Sequence, residues 1–570
     1  MSDQRLLIHG GTVVDGSGAE PFVADVLVDD GLITAVAPQL TVDPCEQLDA
    51  TGLLVTPGFV DVHTHYDGQA TWEHTLGPSS AHGVTTVVTG NCGVGFAPCQ
   101  PGSRDGLVRL MEGIEDIPEV VMTAGLPWAW TTFPEYLDFL GARSFDVDVA
   151  TQLPHAALRV YAMGERGMAR EPATAADLRQ MRELAREAIE AGAIGFSTSR
   201  SVNHKALDGA PTPSLDAAER ELHAIAGGLA EAGSGVLQVI TDFPRAEVVP
   251  ERMRLLVELC QSAGRPLSFT LAQFHSAPNT WAEVLRLTEQ AFGEGLPLRG
   301  QVFPRPMGLL MGLDTSRNPF SASATFVALA EHPLQERVAQ LRKRGVRERV
   351  IAEARAGSSS ERQRRFEWVF PLRHAADYEP RTDESIAALA AVRGVAPDEL
   401  AYDLLLESDG RALLWAAFAN IVDGSLEAVL RMMKSEATII GLGDGGAHYG
   451  LICDSSFPTF MLSYWGRDRT RGERLPIPFI IKSLTRDPAL AVGLGDRGLV
   501  RPGFKADLNL IDSAHLALGV PTVQHDLPAN GRRLTQTADG YRATVVSGTV
   551  TYRDGLATGR LPGRLVQGAR

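Results

Sequence analysis

Two histidines one residue apart, His63 and His65, close the apolar stretch LLVTPGFVDVHTHYDGQ that runs from Leu53 to Gln69. In an extended strand residues i and i+2 point to one side, so the pair presents two imidazoles to one point, a geometry suited to a metal ion. The same spacing also serves to cap a core, one ring hydrogen-bonded and the other solvated. A second apolar run, TTVVTGNCGVGFAPC, places Cys92 just past its end among glycines that permit close backbone approach; a thiol there is inert filling or a ligand. A third, ATIIGLGDGGAHYG, leads Asp444 into a Gly-Gly turn, where a buried carboxylate needs a cation, a metal or a hydrogen-bond network. Imidazole, thiolate and carboxylate together are a donor set that zinc accepts.

These residues need elements that bring them together. Short β-branched or apolar runs are expected as strands at 53–63, 85–91, 148–154, 193–199, 235–241, 266–273, 297–303 and 437–444, with amphipathic helices between several of them. One such helix, AADLRQMRELAREAIEAG over 175–192, ends in the glycine that helix C-termini favour. Eight strands alternating with helices imply an α/β chain folded as a (β/α)8 TIM barrel, with an open doubly wound sheet as the alternative. In a barrel, active-site residues sit at the C-terminal strand ends, and the first, second and last strands are neighbours. His63, His65, Cys92 and Asp444 all fall there.

Residues 304–436 exceed what one connecting helix needs and carry charged helical sequence such as ERVAQLRKRGVRERVIAEARAG, so an insertion before the last strand is expected, either a lid or a helical unit that only packs on the barrel. The first ~50 residues and the last ~70 read as short strands with Asp30-Gly31, Ser547-Gly548 and Asp554-Gly555 as turn signals. Neither end buries a core alone, so residues 1–52 and 500–570 are expected to form one small β-sandwich around a barrel of residues 53–499.

Composition narrows the function. The 570 residues are 44% hydrophobic, enough for substantial cores, and no apolar run reaches the roughly 18 residues that span a bilayer. A formal charge of −16 with no basic run opposes nucleic-acid binding and leaves a small molecule as the expected partner. Five cysteines and a start, MSDQRLLIHGGTVVDG, without secretory pattern point to the cytoplasm. Oligomeric state has no signature in this sequence.

The stretches TPGFVDVHTHYDG, GVTTVVTGNCGVGFAPC, GAIGFSTSR and GDGGAH, followed by SLTRDPALAVGLGDRGLVRPGFKADLNLID, resemble the N-acyl-D-amino-acid deacylases, the D-aminoacylase branch of the amidohydrolases. The resemblance covers nearly the whole chain and implies a metal-assisted hydrolase of amide bonds. It implies that His63 and His65 bind one metal position, that Cys92 is a ligand in place of the carboxylated lysine of other amidohydrolases, and that Asp444 orients and deprotonates the water. The family also places a histidine at the end of the fifth and of the sixth strand. Here those strands read GVLQVITDF and PLSFTLAQFHS, offering Gln238, Thr241, Asp242 and Gln273, with His275 a little late. One zinc on His63, His65, Asp444 and Cys92 is therefore expected rather than two ions. Arg200, Lys205 and His448 are the candidates for binding substrate, and His155 and His204 also come from catalytic-end loops. An ester, lactone or cyclic-amide hydrolase would use the same water, and a catalytically silent ligand-binding barrel is the reading from a different class.

Overall fold

In the computed structural model, which describes residues 5–357, 361–372 and 377–568, eight parallel strands form one sheet. They are β1 (Phe59–Asp61), β2 (Val84–Thr89), β3 (Asp148–Pro154), β4 (Gly195–Arg200), β5 (Val236–Thr241), β6 (Leu267–Thr270), β7 (Leu298–Val302) and β8 (Thr438–Ile440). Each pairs with its sequence neighbour, β8 joining β7 across the long insertion. The sheet closes just beyond the ends of β1 and β8. There the Asp444 N–H donates to the His63 carbonyl (3.0 Å) and the His65 N–H to the Gly445 carbonyl (2.7 Å). The seam of the barrel thus runs through the residues expected to do the chemistry, and their backbones are fixed by the closure.

The first barrel strand is shorter than expected. Leu54–Pro57 pairs instead with the strand Leu6–Val13 and with Leu508–Ile511, so the barrel begins at Phe59 rather than near residue 53. The expected sandwich of residues 1–52 and 500–570 is one hydrogen-bonded sheet of nine strands, five from the N-terminal part and four from the C-terminal part, joined along that pairing. Ile8, Val26, Leu508 and Val545 share its apolar cluster, which explains why neither end would be stable alone. Residues 1–4 and 569–570 of that expectation lie outside the described residues. The three turn dipeptides behave as their composition requires: Asp30-Gly31, Ser547-Gly548 and Asp554-Gly555 all have positive φ at both positions, which tight hairpins need.

The connecting helix Ala175–Ala191 starts on a capping box between Thr174 and Asp177 and stops at Gly192. The insertion has its own antiparallel sheet, Met307–Met311, Leu413–Ala419 and Val369–Leu372 with the second in the middle, and its own core around Phe320, Val350, Leu404 and Ala416. It reaches the barrel's catalytic end: the Asn420 N–H donates to the Gln273 carbonyl and the Leu310 N–H to the Leu451 carbonyl. Its last helix, Glu427–Met433, packs on β7 and β8 as an ordinary barrel helix, so the inserted unit is shorter than 304–436. Among the described residues no helix is long and apolar enough to cross a membrane.

Candidate metal centre

The turn after β2 is built to aim one sulfur. Gly90, Cys92 and Gly93 all have φ near +60 to +80, a conformation that costs a non-glycine residue such as Cys92 roughly 1–2 kcal/mol. Side chains from successive strands hold it there. Asn91 Nδ2 donates to the Thr64 and Val88 carbonyls, Gln152 Nε2 donates to Asn91 Oδ1, Ser197 Oγ donates to the Gly90 carbonyl, and the Cys92 N–H donates to Gln238 Oε1. A side chain at Gly90 would collide with the Gln152 carbonyl. So many partners for three residues indicate a constrained position rather than filling.

The donors converge. One nitrogen each of His63 and His65 and the Cys92 sulfur lie within 4.8 Å of one another, and all three residues are buried. His63 Nε2 is 3.3 Å from Cys92 Sγ and 3.4 Å from Asp444 Oδ1, while its other nitrogen, Nδ1, is held at 2.8 Å by Gln301 Oε1. That back-side bond fixes the ring and, with Gln301 accepting, places the proton on Nδ1 and frees Nε2 as a donor to a cation. His65 Nε2 faces Asp444 Oδ1 at 3.8 Å and Glu115 Oε2 at 3.5 Å. Asp444 and His448 also have positive φ, 48° and 50°, so three of the converging side chains leave strained backbone.

Electrostatically the cluster is unfinished. Burial pushes Asp444 up to about 7; it pushes Glu115 well above the usual carboxylate range, helped by the neighbouring Asp444 and Asp67. The Cys92 thiol rises for the same reason, with Glu115, Asp444 and Asp67 adding to the effect of burial. His63 is lowered to about 4 by burial against the opposing Gln301 bond, and His65 is lowered further by burial and by its imidazole neighbours. Among the described residues, neither nitrogen of His65 has a hydrogen-bond partner, nor does Glu115 Oε1 or Gln238 Nε2, although all are buried. Unpaired buried groups of this kind are costly. A divalent cation at the convergence of the donors would stabilise the thiolate and carboxylates and give the orphaned imidazole a partner, so the residues present fit a metal.

A cavity of about 800 Å³ is lined by His63, Cys92, Glu115 and Asp444 together with Lys205, His204 and His448. Apolar wall comes from Ile240, Phe274 and Leu442 of the barrel and from Met307, Leu309 and Phe418 of the insertion. Of the residues expected to bind substrate, His448 and Lys205 line it; Arg200 does not, because its guanidinium turns to the Ala217 carbonyl at 2.8 Å. His155 is likewise engaged elsewhere, bonded to Thr198 Oγ1 and Glu221 Oε1, and His275 packs its ring on Trp368. His204 accepts or donates to Ser199 Oγ at 2.8 Å and faces the cavity. Glu115 was not among the residues expected from sequence. It ends the helix Arg104–Glu115, on the same stripe as buried Leu107 and Met111, and a carboxylate at a core-facing helical position was the signal available.

A model of the amidohydrolase family matches residues 46–552. The chain belongs to the amidohydrolase family. It is a hydrolase of carbon–nitrogen bonds other than peptide bonds. A protein of uncharacterised function from Mycobacterium tuberculosis (strain H37Rv) is 27% identical over 97% of this chain and 93% of its own. The D-aminoacylase of Alcaligenes xylosoxydans xylosoxydans is 35% identical over 193 residues, 34% of this chain and 37% of that enzyme. Among solved structures a D-aminoacylase superposes with a TM-score of 0.64 at 23% identity, and the N-acyl-D-glutamate deacylase from Bordetella bronchiseptica, complexed with zinc and a phosphonate inhibitor, with 0.63 at 22%; each covers 99% of both chains. At that identity the match speaks for the fold, which this amidohydrolase shares.

Proposed function

We propose that this amidohydrolase is a metal-dependent deacylase of N-acyl amino acids, of the kind its D-aminoacylase relatives are named for, and that one zinc ion sits on His63, His65 and Cys92 with Asp444 beside it. The observation that carries the reading is the convergence of two imidazoles and a thiol within 4.8 Å beneath a cavity of about 800 Å³. Zinc takes nitrogen, sulfur and oxygen donors together. When bound, the ion supplies Lewis acidity toward the scissile carbonyl and lowers the pKa of water.

The chain's own groups do the rest. Asp444 faces the cavity with its side chain 15% exposed, where its carboxylate accepts a proton from the attacking water and returns it to the leaving nitrogen. One carboxylate thereby acts as base and then as acid. Gln301 keeps the His63 ring fixed, and the ring of hydrogen bonds around Asn91–Gly93 keeps the Cys92 sulfur in place through the cycle. The apolar wall excludes water from the acyl group, and Lys205 at the rim is placed to meet a substrate carboxylate. Five unpaired cysteines fit a cytoplasmic location.

Metal analysis with an assay on N-acyl amino acids of both chiralities tests the reading. The parent is expected to hold one zinc per chain and to release carboxylate, and the double variant His63→Ala/His65→Ala to lose both zinc and turnover while staying folded. Cys92→Ser should surrender zinc to a chelator more readily. A parent that takes up no metal from metal-rich medium would refute the proposal in favour of a ligand-binding barrel.

A further inference from the structure

The turn after β4 is held more firmly than a surface loop needs. Ser201 Oγ and the Val202 N–H donate to the two oxygens of Asp242, each at 2.9 Å, so a carboxylate at the end of β5 pins the turn into which β4 runs. Residues 204–212 then fold back as a narrow hairpin, the Thr212 N–H donating to the His204 carbonyl and the Ala206 N–H to the Ala210 carbonyl. His204 is thus fixed from its backbone, and Ser199 Oγ, 2.8 Å from Nδ1, fixes its ring. The imidazole is half-buried and lines the cavity that His63, Cys92 and Asp444 also line. It stands close enough to the metal centre for a charge on it to disfavour charge on His65 and His448.

The hydrogen bonds decide which nitrogen carries the proton. Ser199 is fully buried, and its Oγ already accepts the Ser201 N–H. Among the described residues, His204 Nδ1 is the acceptor that remains for the Ser199 hydroxyl proton, and a buried hydroxyl proton left unpaired is costly. Nδ1 therefore accepts, and the proton sits on Nε2. Burial keeps the ring neutral, lowering its pKa to about 4 against the pull of Asp242. A nitrogen that bears a proton has no lone pair for a metal, so His204 offers the cavity a neutral donor.

Amide hydrolysis needs such a donor. As water adds to the scissile carbon, the carbonyl oxygen gathers negative charge, and a fixed donor at that oxygen stabilises the transition state more than the bound substrate. Asn203, Lys205 and Arg317 also line the cavity but are exposed, and His448 turns Nε2 toward Glu115 at 3.4 Å. We propose that His204 is a catalytic residue that donates from Nε2–H to the carbonyl oxygen of the scissile amide, with Ser199 setting its tautomer and Asp242 positioning the turn that carries it. The proton stays on the imidazole throughout. When the water oxygen bonds to carbon, the carbonyl π pair moves onto the oxygen and strengthens the hydrogen bond; when the C–N bond breaks, that pair returns. This rests on the metal-dependent deacylase reading above and adds to it a role that involves no metal ligation.

The test compares His204→Ala and His204→Gln with the parent in zinc content, in steady-state kinetics on the N-acyl amino acid that the parent hydrolyses best, and in affinity for the methylphosphonamidate of that amino acid, whose tetrahedral phosphorus mimics the addition product. His204→Ala should keep its zinc and lose about 10²- to 10³-fold in kcat with little change in KM. Its affinity for the phosphonamidate should fall by the same factor as its kcat/KM. His204→Gln, which brings an amide N–H near the place of Nε2–H, should recover part of both. Parental kcat and phosphonamidate affinity in His204→Ala, or a raised KM at unchanged kcat, overturns the assignment while leaving the deacylase reading intact. A parent with neither zinc nor turnover overturns both. Should His204→Ala fail to fold, nitrogen-15 NMR of the parent's histidines decides: a proton on His204 Nε2 whose resonance shifts when the phosphonamidate binds supports the assignment, and a proton on Nδ1 refutes it.

Discussion

At the N-terminal mouth of the barrel, Asp148 at the start of β3 and Asp507 ahead of the strand Leu508–Ile511 are both buried, and both meet cations of the chain's own. Arg497 contacts Asp148 at 2.7 Å, and Lys505 contacts Asp148 at 2.8 Å and Asp507 at 2.7 Å. At the C-terminal mouth, Glu115 is buried and Asp444 is 15% exposed, with imidazoles and a thiol for company. Both ends hold carboxylates largely withdrawn from solvent. One is neutralised from within, and it clamps the terminal sheet to the barrel; the other is left for a cation from outside. Buried acid therefore marks a site only where its countercharge is missing, and the roles match what barrel ends ordinarily do, stability at one and catalysis at the other.

The strongest way to break this contrast is to remove charge at the catalytic end. Asp444→Asn keeps the side chain's size and loses its basicity, so kcat is expected to fall about 10²- to 10⁴-fold with zinc content retained. Side-by-side turnover and metal analysis check it, and near-parental turnover would move the proton-transfer role to another residue. At the opposite mouth the effect should be on stability instead. Arg497→Met leaves Lys505 as the cation beside Asp148, whose other oxygen accepts the Arg564 N–H, and breaking a buried pair in this way costs about 3–5 kcal/mol. Urea unfolding should show that loss, while the folded fraction binds zinc as the parent does. Loss of zinc at unchanged stability would mean that the two mouths are not independent.

The same contrast shows what could be read from the sequence. Strand ends bearing His63, His65, Cys92 and Asp444 were legible because short β-branched or apolar runs mark strands and because a barrel must bring its first, second and last strands together. The tail GDRGLVRPGFKADL was recognisable as a motif, but its physical purpose, delivering Arg497 and Lys505 to Asp148, depends on a contact across about 350 positions that spacing does not encode. Glu115 was missed for a related reason: helical periodicity places it on the buried stripe, yet nothing local says that the stripe ends at an imidazole pair. Arg200 failed in the other direction. A strand-end arginine looks like a carboxylate binder until the long loop after β4 supplies the Ala217 carbonyl to it.

A third buried cluster sharpens the comparison through pH. Glu221 meets His155 and Arg159, so it too is neutralised from within. Burial alone would raise its pKa, but the bonds from His155 and Arg159 prevail and hold it down at about 2, below its ordinary 4.5. A depressed carboxylate stabilises the fold above its unfolded pKa and loses that contribution as pH falls toward its folded one. Stability of the parent should therefore decline from about pH 4.5 toward pH 2, and Glu221→Gln should flatten that part of the profile. Urea midpoints across the range measure it; an unchanged slope in the variant would assign the acid sensitivity to other carboxylates.

The smallest effect expected concerns substrate recognition, where Lys205 and Arg200 were equal candidates in sequence and part company in the structure. Lys205 lines the cavity, is exposed, and has no ion pair among the described residues, so its ammonium is available to an anionic substrate. Exposed ion pairs are weak because water screens them, about 0.2–1 kcal/mol, and that energy acts on bound substrate and transition state alike. Lys205→Ala should therefore raise KM by at most about fivefold with kcat unchanged, and the increase should shrink in high salt. Arg200→Ala breaks a bond to the Ala217 carbonyl outside the cavity, so it should leave KM unchanged and at most loosen the loop after β4. Steady-state kinetics of both variants on an N-acyl amino acid and on its uncharged amide provide the check: the Lys205 effect should vanish on the amide. If Arg200→Ala instead raises KM for the acid alone, the guanidinium swings into the cavity during binding and the assignment of the two cations is reversed.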